Sequence, residues 1–129
     1  MKDIIFKEIK IFENYELLVS EEGHVILQTV VVEGSLNHYG NGHGGYLYTL
    51  CDSVAGLAAR NTGAEIVTMG ANMHYLKAAH LGDTLTVEGN CIHNGRTTKV
   101  IEVEIKNQEE KLLCKGTFTM FAVKERIDA

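Results

Sequence analysis

The sequence predicts an α+β fold, an antiparallel sheet of about five to six strands curled around one long central helix. Three observations predict it. One segment carries a sustained apolar stripe at helical spacing, the segment before it is rich in β-branched residues, and everything after it alternates as strands joined by short turns.

Residues 4–15 ("IIFKEIKIFENY") mix apolar and charged positions at roughly helical spacing and predict a short helix or an irregular opening segment. Residues 24–34 ("HVILQTVVVEG") are dense in Val, Ile and Thr and predict a strand. A glycine-rich loop, residues 37–45, follows. Leu47, Leu50, Cys51, Val54, Leu57 and Ala58 then recur at helical spacing, one stripe over about three turns. "NTG" at 61–63 ends that helix with turn chemistry. Four segments after it read as strands: 66–79, 84–93, 97–107 and 112–123. "HLGD", "NGR" and "QEEK" separate them, so the four read as an antiparallel meander. With no proline in the chain, Gly, Asn and Asp must make the turns. One helix cannot cover both faces and the edges of such a sheet, and homo-oligomerisation supplies the missing cover most simply.

The 129 residues make a single domain, 1–129, of ordinary globular composition, 45% hydrophobic and 22% charged. A net charge of −5 lacks the basic footprint that nucleic acid requires. No segment approaches the roughly 18 apolar residues of a membrane span. The charged start "MKDIIFKEIK" is no signal peptide. Cys51, Cys91 and Cys114 sit at no metal-like spacing and read as free thiols in a reducing, cytoplasmic setting. The histidines make no i, i+4 pair on a helix and no HExxH, so no metal is expected.

Chemistry concentrates around residues 37–60, "NHYGNGHGGYLYTLCDSVAGLAAR". His43-Gly44-Gly45 opens the helix, where the first N–H groups lack intrahelical partners and the dipole is positive. Glycines there let a ligand carbonyl approach the backbone, and each well-placed donor to an oxyanion is worth about 3 kcal/mol. The alternative is a tight turn into a helix and nothing more. On a helical wheel the apolar stripe lies within roughly 80° of Leu47, and Asp52 falls at about 140°. It reads there either as a solvated helix carboxylate or as one facing a close partner element. The small neighbours Ala55, Gly56 and Ala59 leave room for another backbone on that side. Cys51 lies on the stripe and reads as a core thiol, not a nucleophile. There is no GxSxG elbow.

The spacing Asn37-x2-Gly40-x2-His43-Gly44-Gly45-x6-Asp52, ahead of a helix and a run of strands, resembles the hotdog-fold acyl-CoA thioesterases of the phenylacetate-degradation (PaaI-like) type. The resemblance covers nearly the whole chain. It includes "ANMHYLKAAHLGDTLTVEG", similar to that family's N-x-x-Y strand and Gly-Asp turn, and "HNGRTTKVIEVEI", similar to its x-G-R-T hairpin. It implies hydrolysis of an acyl-CoA, of aromatic or short or medium chain, to free acid and coenzyme A. No cofactor is implied beyond the coenzyme A of the substrate. Asp52 matches the family's nucleophile or general base and Gly44 the N–H donor to the thioester carbonyl. Asn37 matches the amide that orients the carbonyl or the water. His43 matches a loop-shaping or thiol-side hydrogen bonder, and Thr68 a hydroxyl near the water. Gly45 shares the loop. Strand alternation puts Asn72, with His74, on one face with Gly70 and Thr68, near the site. Arg96, Lys99 and Lys77 are candidate contacts for the coenzyme A phosphates. The family site is shared between subunits, which implies a homodimer at minimum and, as two dimers, a homotetramer. A non-catalytic acyl-CoA-binding module and a thioester hydratase or dehydratase are the competing readings. The first has no need of Asp52, and the second pairs a His with a carboxylate.

Overall fold

The computed structural model describes residues 14–125. The expectation for residues 4–13 lies outside the described residues. The apolar stripe forms helix α1 (Gly44–Arg60), and Leu47, Leu50, Cys51, Val54, Leu57 and Ala58 are all buried. Gly63, at φ +105°, adopts the left-handed conformation that closes the helix, and its N–H donates to Arg60 O at 2.9 Å.

Among the described residues six strands make one antiparallel sheet: β1 (Tyr15–Glu21), β2 (His24–Val30), β3 (Ala64–Tyr75), β4 (Thr84–Asn94), β5 (Thr98–Lys106) and β6 (Leu112–Glu125). The strand order is β1-β2-β4-β5-β6-β3. Val25, Leu27, Leu85, Val87, Ile101, Val103, Ile105, Phe118 and Met120 point to the helix side and form one core with α1. Gly89 marks a close approach of sheet to helix, because a Cβ there would lie 2.8 Å from Val54 Cγ1. Among the described residues no helix is long and apolar enough to cross a membrane.

Three expectations are corrected here. Residues 15–21 form a strand, β1, beside the one strand foreseen before the helix. The last four strands are not a simple meander, since β4, β5 and β6 are consecutive neighbours but β3 pairs with β6. The eight residues between β3 and β4 are too many for a hairpin turn. They carry the chain across the sheet, tied down by Leu76 N–H to Leu113 O at 2.7 Å and Gly42 N–H to Ala79 O at 2.8 Å. The "HLGD" turn at their end is held by Asp83, whose carboxylate accepts from His80 N at 2.9 Å and Gln108 Nε2 at 3.0 Å. Finally, Ala55, Gly56 and Ala59 are buried within this one chain. They are covered without a second copy and so carry no argument for one.

Candidate active site

Helix α1 begins with a set of hydrogen bonds that hold one residue in place. His43 is the N-cap, at φ −64° and ψ 136°, and its Nδ1 accepts from Gly45 N at 2.9 Å. Accepting at Nδ1 puts the ring proton on Nε2. Leu47 N–H donates to His43 O at 3.1 Å, and the Tyr75 hydroxyl, reaching in from β3, donates to Gly44 O at 3.2 Å. Both peptides flanking Gly44 are therefore fixed. The Gly44 N–H has no protein acceptor among the described residues. Gly44 lines an open cleft of about 330 Å³ together with Asn37, Leu47, Tyr75, Leu76 and Lys77, among others. Gly45 has a local reason to be glycine: a Cβ there would sit 3.2 Å from His43 Nδ1, crowding the cap.

Asn37 divides its amide between fold and cleft. Its Oδ1 accepts from Tyr39 N at 2.9 Å and Asn41 N at 3.0 Å, closing the loop before the helix. Both partners are backbone donors, so the oxygen is committed to the loop and the NH₂ remains for the cleft. Asn37 is thereby suited to donate to a carbonyl and not to accept from a water through that oxygen.

Asp52 lies two turns further along α1 and is partly buried. Thr68 Oγ1 donates to its Oδ1 at 2.9 Å. The one hydroxyl proton also has Met120 Sδ within 3.3 Å, but a carboxylate is the stronger acceptor. Thr68 reaches the helix because of a β-bulge. The register of β3 on β6 slips between Thr68, opposite Met120, and Gly70, opposite Thr119, leaving Met69 as the extra residue. The bulge inverts the alternation beyond it. Thr68 sits on the helix face with Asp52, while Gly70, Asn72 and His74 line a concavity on the outer face with Lys115, Thr117 and Thr119. The expectation that Asn72 and His74 share a face with Thr68 is corrected by this one residue.

The candidate cations separate likewise. Arg96 and Lys99 line a second hollow of about 420 Å³, beside Ala64 at the start of β3 and Lys124 at the end of β6. Lys99 is only 7% exposed, and its ammonium donates to Asn94 Oδ1 at 2.7 Å and Gly95 O at 2.8 Å. Lys77 lies in the Gly44 cleft, just past the far end of β3. A twelve-residue strand spans about 36 Å, so Lys77 and Arg96 of one chain do not meet the same phosphate. Cys51 is no nucleophile: contact with the Cys114 thiol, then burial, push its thiol far above the usual range. Tyr75 and Lys124 were not singled out from the sequence. Tyr75 closes the N-x-x-Y pattern, but its inward direction depends on the bulge at Met69, which alternation alone does not reveal.

Residues 39–114 match the sequence model of the thioesterase superfamily. The acyl-coenzyme A thioesterase PaaI of Escherichia coli K12 is 30% identical over 96 residues, covering 74% of this chain and 69% of that protein. A hypothetical thioesterase protein of Streptococcus pneumoniae TIGR4, solved with coenzyme A, is 52% identical with a TM-score of 0.87, over 89% of this chain and 93% of that one. It has also been solved as its Asp52→Ala and Thr68→Ala mutants, each 51% identical with a TM-score of 0.87, over 88% of this chain and 94% and 93% of those chains. A Streptococcus mutans UA159 protein bound to acetyl CoA is 49% identical with a TM-score of 0.88, over 93% of this chain and 97% of that one. A fold shared with these hotdog structures and a sequence match over more than half its length lead to one conclusion: the chain belongs to the thioesterase superfamily and is a thioester hydrolase.

Proposed function

We propose that the protein hydrolyses an acyl-CoA thioester at a site built between two copies of the chain. The observation that carries this reading is the open N–H of Gly44, fixed by its neighbours in a cleft that also receives the Asn37 amide. A thioester carbonyl laid there receives two donors where negative charge develops. Sulfur is a good leaving group, so a carboxylate and an oxyanion donor suffice. The carboxylate is Asp52, oriented by Thr68, acting as nucleophile or as general base toward water. The S. pneumoniae relative with coenzyme A, and its variants at an aspartate and a threonine, support the substrate class and this pair.

One chain cannot supply all of these groups. Gly44 and Asp52 are eight residues apart on one helix, about 12 Å at 1.5 Å per residue. A single carbonyl with its attacking oxygen spans much less. Strand β3 is one of the two edges of the sheet, and it is exposed from Val67 to Asn72. An exposed edge of this length is a template for another strand. Antiparallel pairing of two β3 edges lays the Tyr75 end of one copy beside the Ala64 end of the other. The Gly44 cleft of one copy then approaches Thr68 and Asp52 of the second, with the second copy's Arg96 and Lys124 beyond them for the coenzyme A phosphates, Lys99 being held by Asn94 and Gly95. The active unit is a homodimer, and two such dimers form a tetramer.

An acyl-CoA panel, aromatic and of graded chain length, followed by free thiol release, tests the substrate class. Absence of turnover on every member would refute it. Gly44→Ala keeps the N–H and tests the close approach of the thioester to it. Its Cβ would meet only Tyr75 ring carbons, at 3.8 Å, so the fold accepts it. Alanine for glycine in a helix adds about 0.5–1 kcal/mol of stability. The methyl group stands where the thioester must approach, so the variant should melt no lower than the parent while kcat falls by about 10²-fold. Parental kcat in a folded Gly44→Ala protein would make the loop a turn and nothing more.

A further inference from the structure

We propose that Tyr75 is a positioning residue for the hydrolysis, holding the Gly44 peptide so that the Gly44 N–H meets the oxyanion. The inference rests on the reading of Gly44 as the oxyanion donor. Gly44 is the first residue of its helix, where chain ends fray, and it has no side chain to pack. Its orientation depends on what its two flanking peptides bond to. The loop and the helix provide three of those bonds, through His43 Nδ1, Leu47 N–H and the helical i→i+4 bond to Gly44 O. The fourth, from the Tyr75 hydroxyl to the same Gly44 O, comes from a different element.

That element is β3, which also directs the Thr68 hydroxyl at Asp52. One edge strand thus contacts both functional positions of α1, Gly44 and Asp52, and the bulge at Met69 lets Thr68 and Tyr75 share the helix side although seven positions separate them. The Tyr75 ring adds a wall: two of its carbons lie 3.8 Å from where a Gly44 Cβ would stand, and the ring lines the same cleft. Tyr75 does not act on the substrate carbonyl itself. Its hydroxyl is spent on Gly44 O, and its effect on the reaction passes through the glycine.

Tyr75→Phe keeps the ring and removes the hydroxyl. The expected result is kcat lower by about tenfold, with KM within about twofold and native mass and circular dichroism unchanged. Backbone exchange gives a readout independent of turnover: the Gly45 amide, in the peptide that Tyr75 holds, should lose protection in Tyr75→Phe. A double-mutant cycle with Gly44→Ala separates the outcomes. If Tyr75 acts through Gly44, the losses are strongly less than additive. Additive losses, a rise in KM at constant kcat, or unaltered Gly45 exchange would each overturn the proposal. Parental kcat in Tyr75→Phe alongside an impaired Gly44→Ala overturns it while leaving the donor reading intact. A silent Gly44→Ala removes that reading instead.

Discussion

Replacing Asp52 with asparagine should lower kcat by 10²-fold or more and leave the fold as it is. The substitution is nearly isosteric, and an asparagine oxygen can still accept from Thr68 Oγ1, the hydrogen bond that links α1 to β3 at 2.9 Å. Asp52 is only partly buried and lies off the helix stripe that makes the core, so no cavity opens. What is lost is the basic, nucleophilic oxygen. Competing groups do not replace it. His43 spends Nδ1 on the Gly45 N–H, and the Cys51 thiol is buried and held protonated. The measurement is steady-state thiol release from the best acyl-CoA of the panel, with substrate affinity measured separately, because the loss belongs in kcat. A single turnover of the parent in heavy-oxygen water then locates the attack of water. Label in the Asp52 carboxylate identifies a nucleophile whose anhydride is opened at the aspartyl carbon, and label only in the released acid places the water's attack on the acyl carbon. Parental turnover in a folded Asp52→Asn protein would remove Asp52 from the mechanism.

Helix α1 was legible because three signals agree on it: a stripe from Leu47 to Ala58, a histidine-glycine start and a glycine stop. Strand β1 was not, because in "YELLVSE" the run Leu17-Leu18-Val19 breaks the alternation, and the pairing itself slips between Leu17 and Val19. The position of β3 depends on a crossover, and nothing local in "LKAAHLGD" says which edge the chain has left. The faces of β3 depend on one unpaired residue, Met69, which moves Asn72 and His74 away from Thr68 without altering the composition of the strand. At the helix start the glycines announced a close approach. The sequence reading assigned that approach to a ligand at both Gly44 and Gly45, whereas Gly45 makes room for the His43 ring. The commitment of the Asn37 oxygen to its own loop is a matter of local dihedrals that residue identity permits but does not dictate.

Two inactive variants should restore one another. Asn37→Asp is the informative partner for Asp52→Ala, because a carboxylate still accepts from Tyr39 N and Asn41 N and so preserves the loop, while the NH₂ donor to the cleft is gone. Alone, each variant should be nearly inactive. If the Gly44 cleft of one copy is completed by Asp52 of another, a mixed dimer holds one site with both lesions and one with neither. Unfolding the two variants together and refolding them at equal concentration makes about half of the dimers mixed, so about a quarter of all sites should recover. The expectation follows from distance: about 12 Å of helix separates Gly44 from Asp52 within a chain, which is too far for one thioester. It follows also from the exposed β3 edge, where a twofold axis brings the two ends together. Recovery has to scale with the fraction of mixed dimers as the ratio of variants is changed, peaking at equal amounts. A mixture that stays inactive while native mass spectrometry shows mixed dimers would put Asp52 and Asn37 in the site of one chain. In that case Gly44 and Asp52 must serve one substrate across two turns of their own helix, and the edge strand would no longer need a second copy to complete the chemistry.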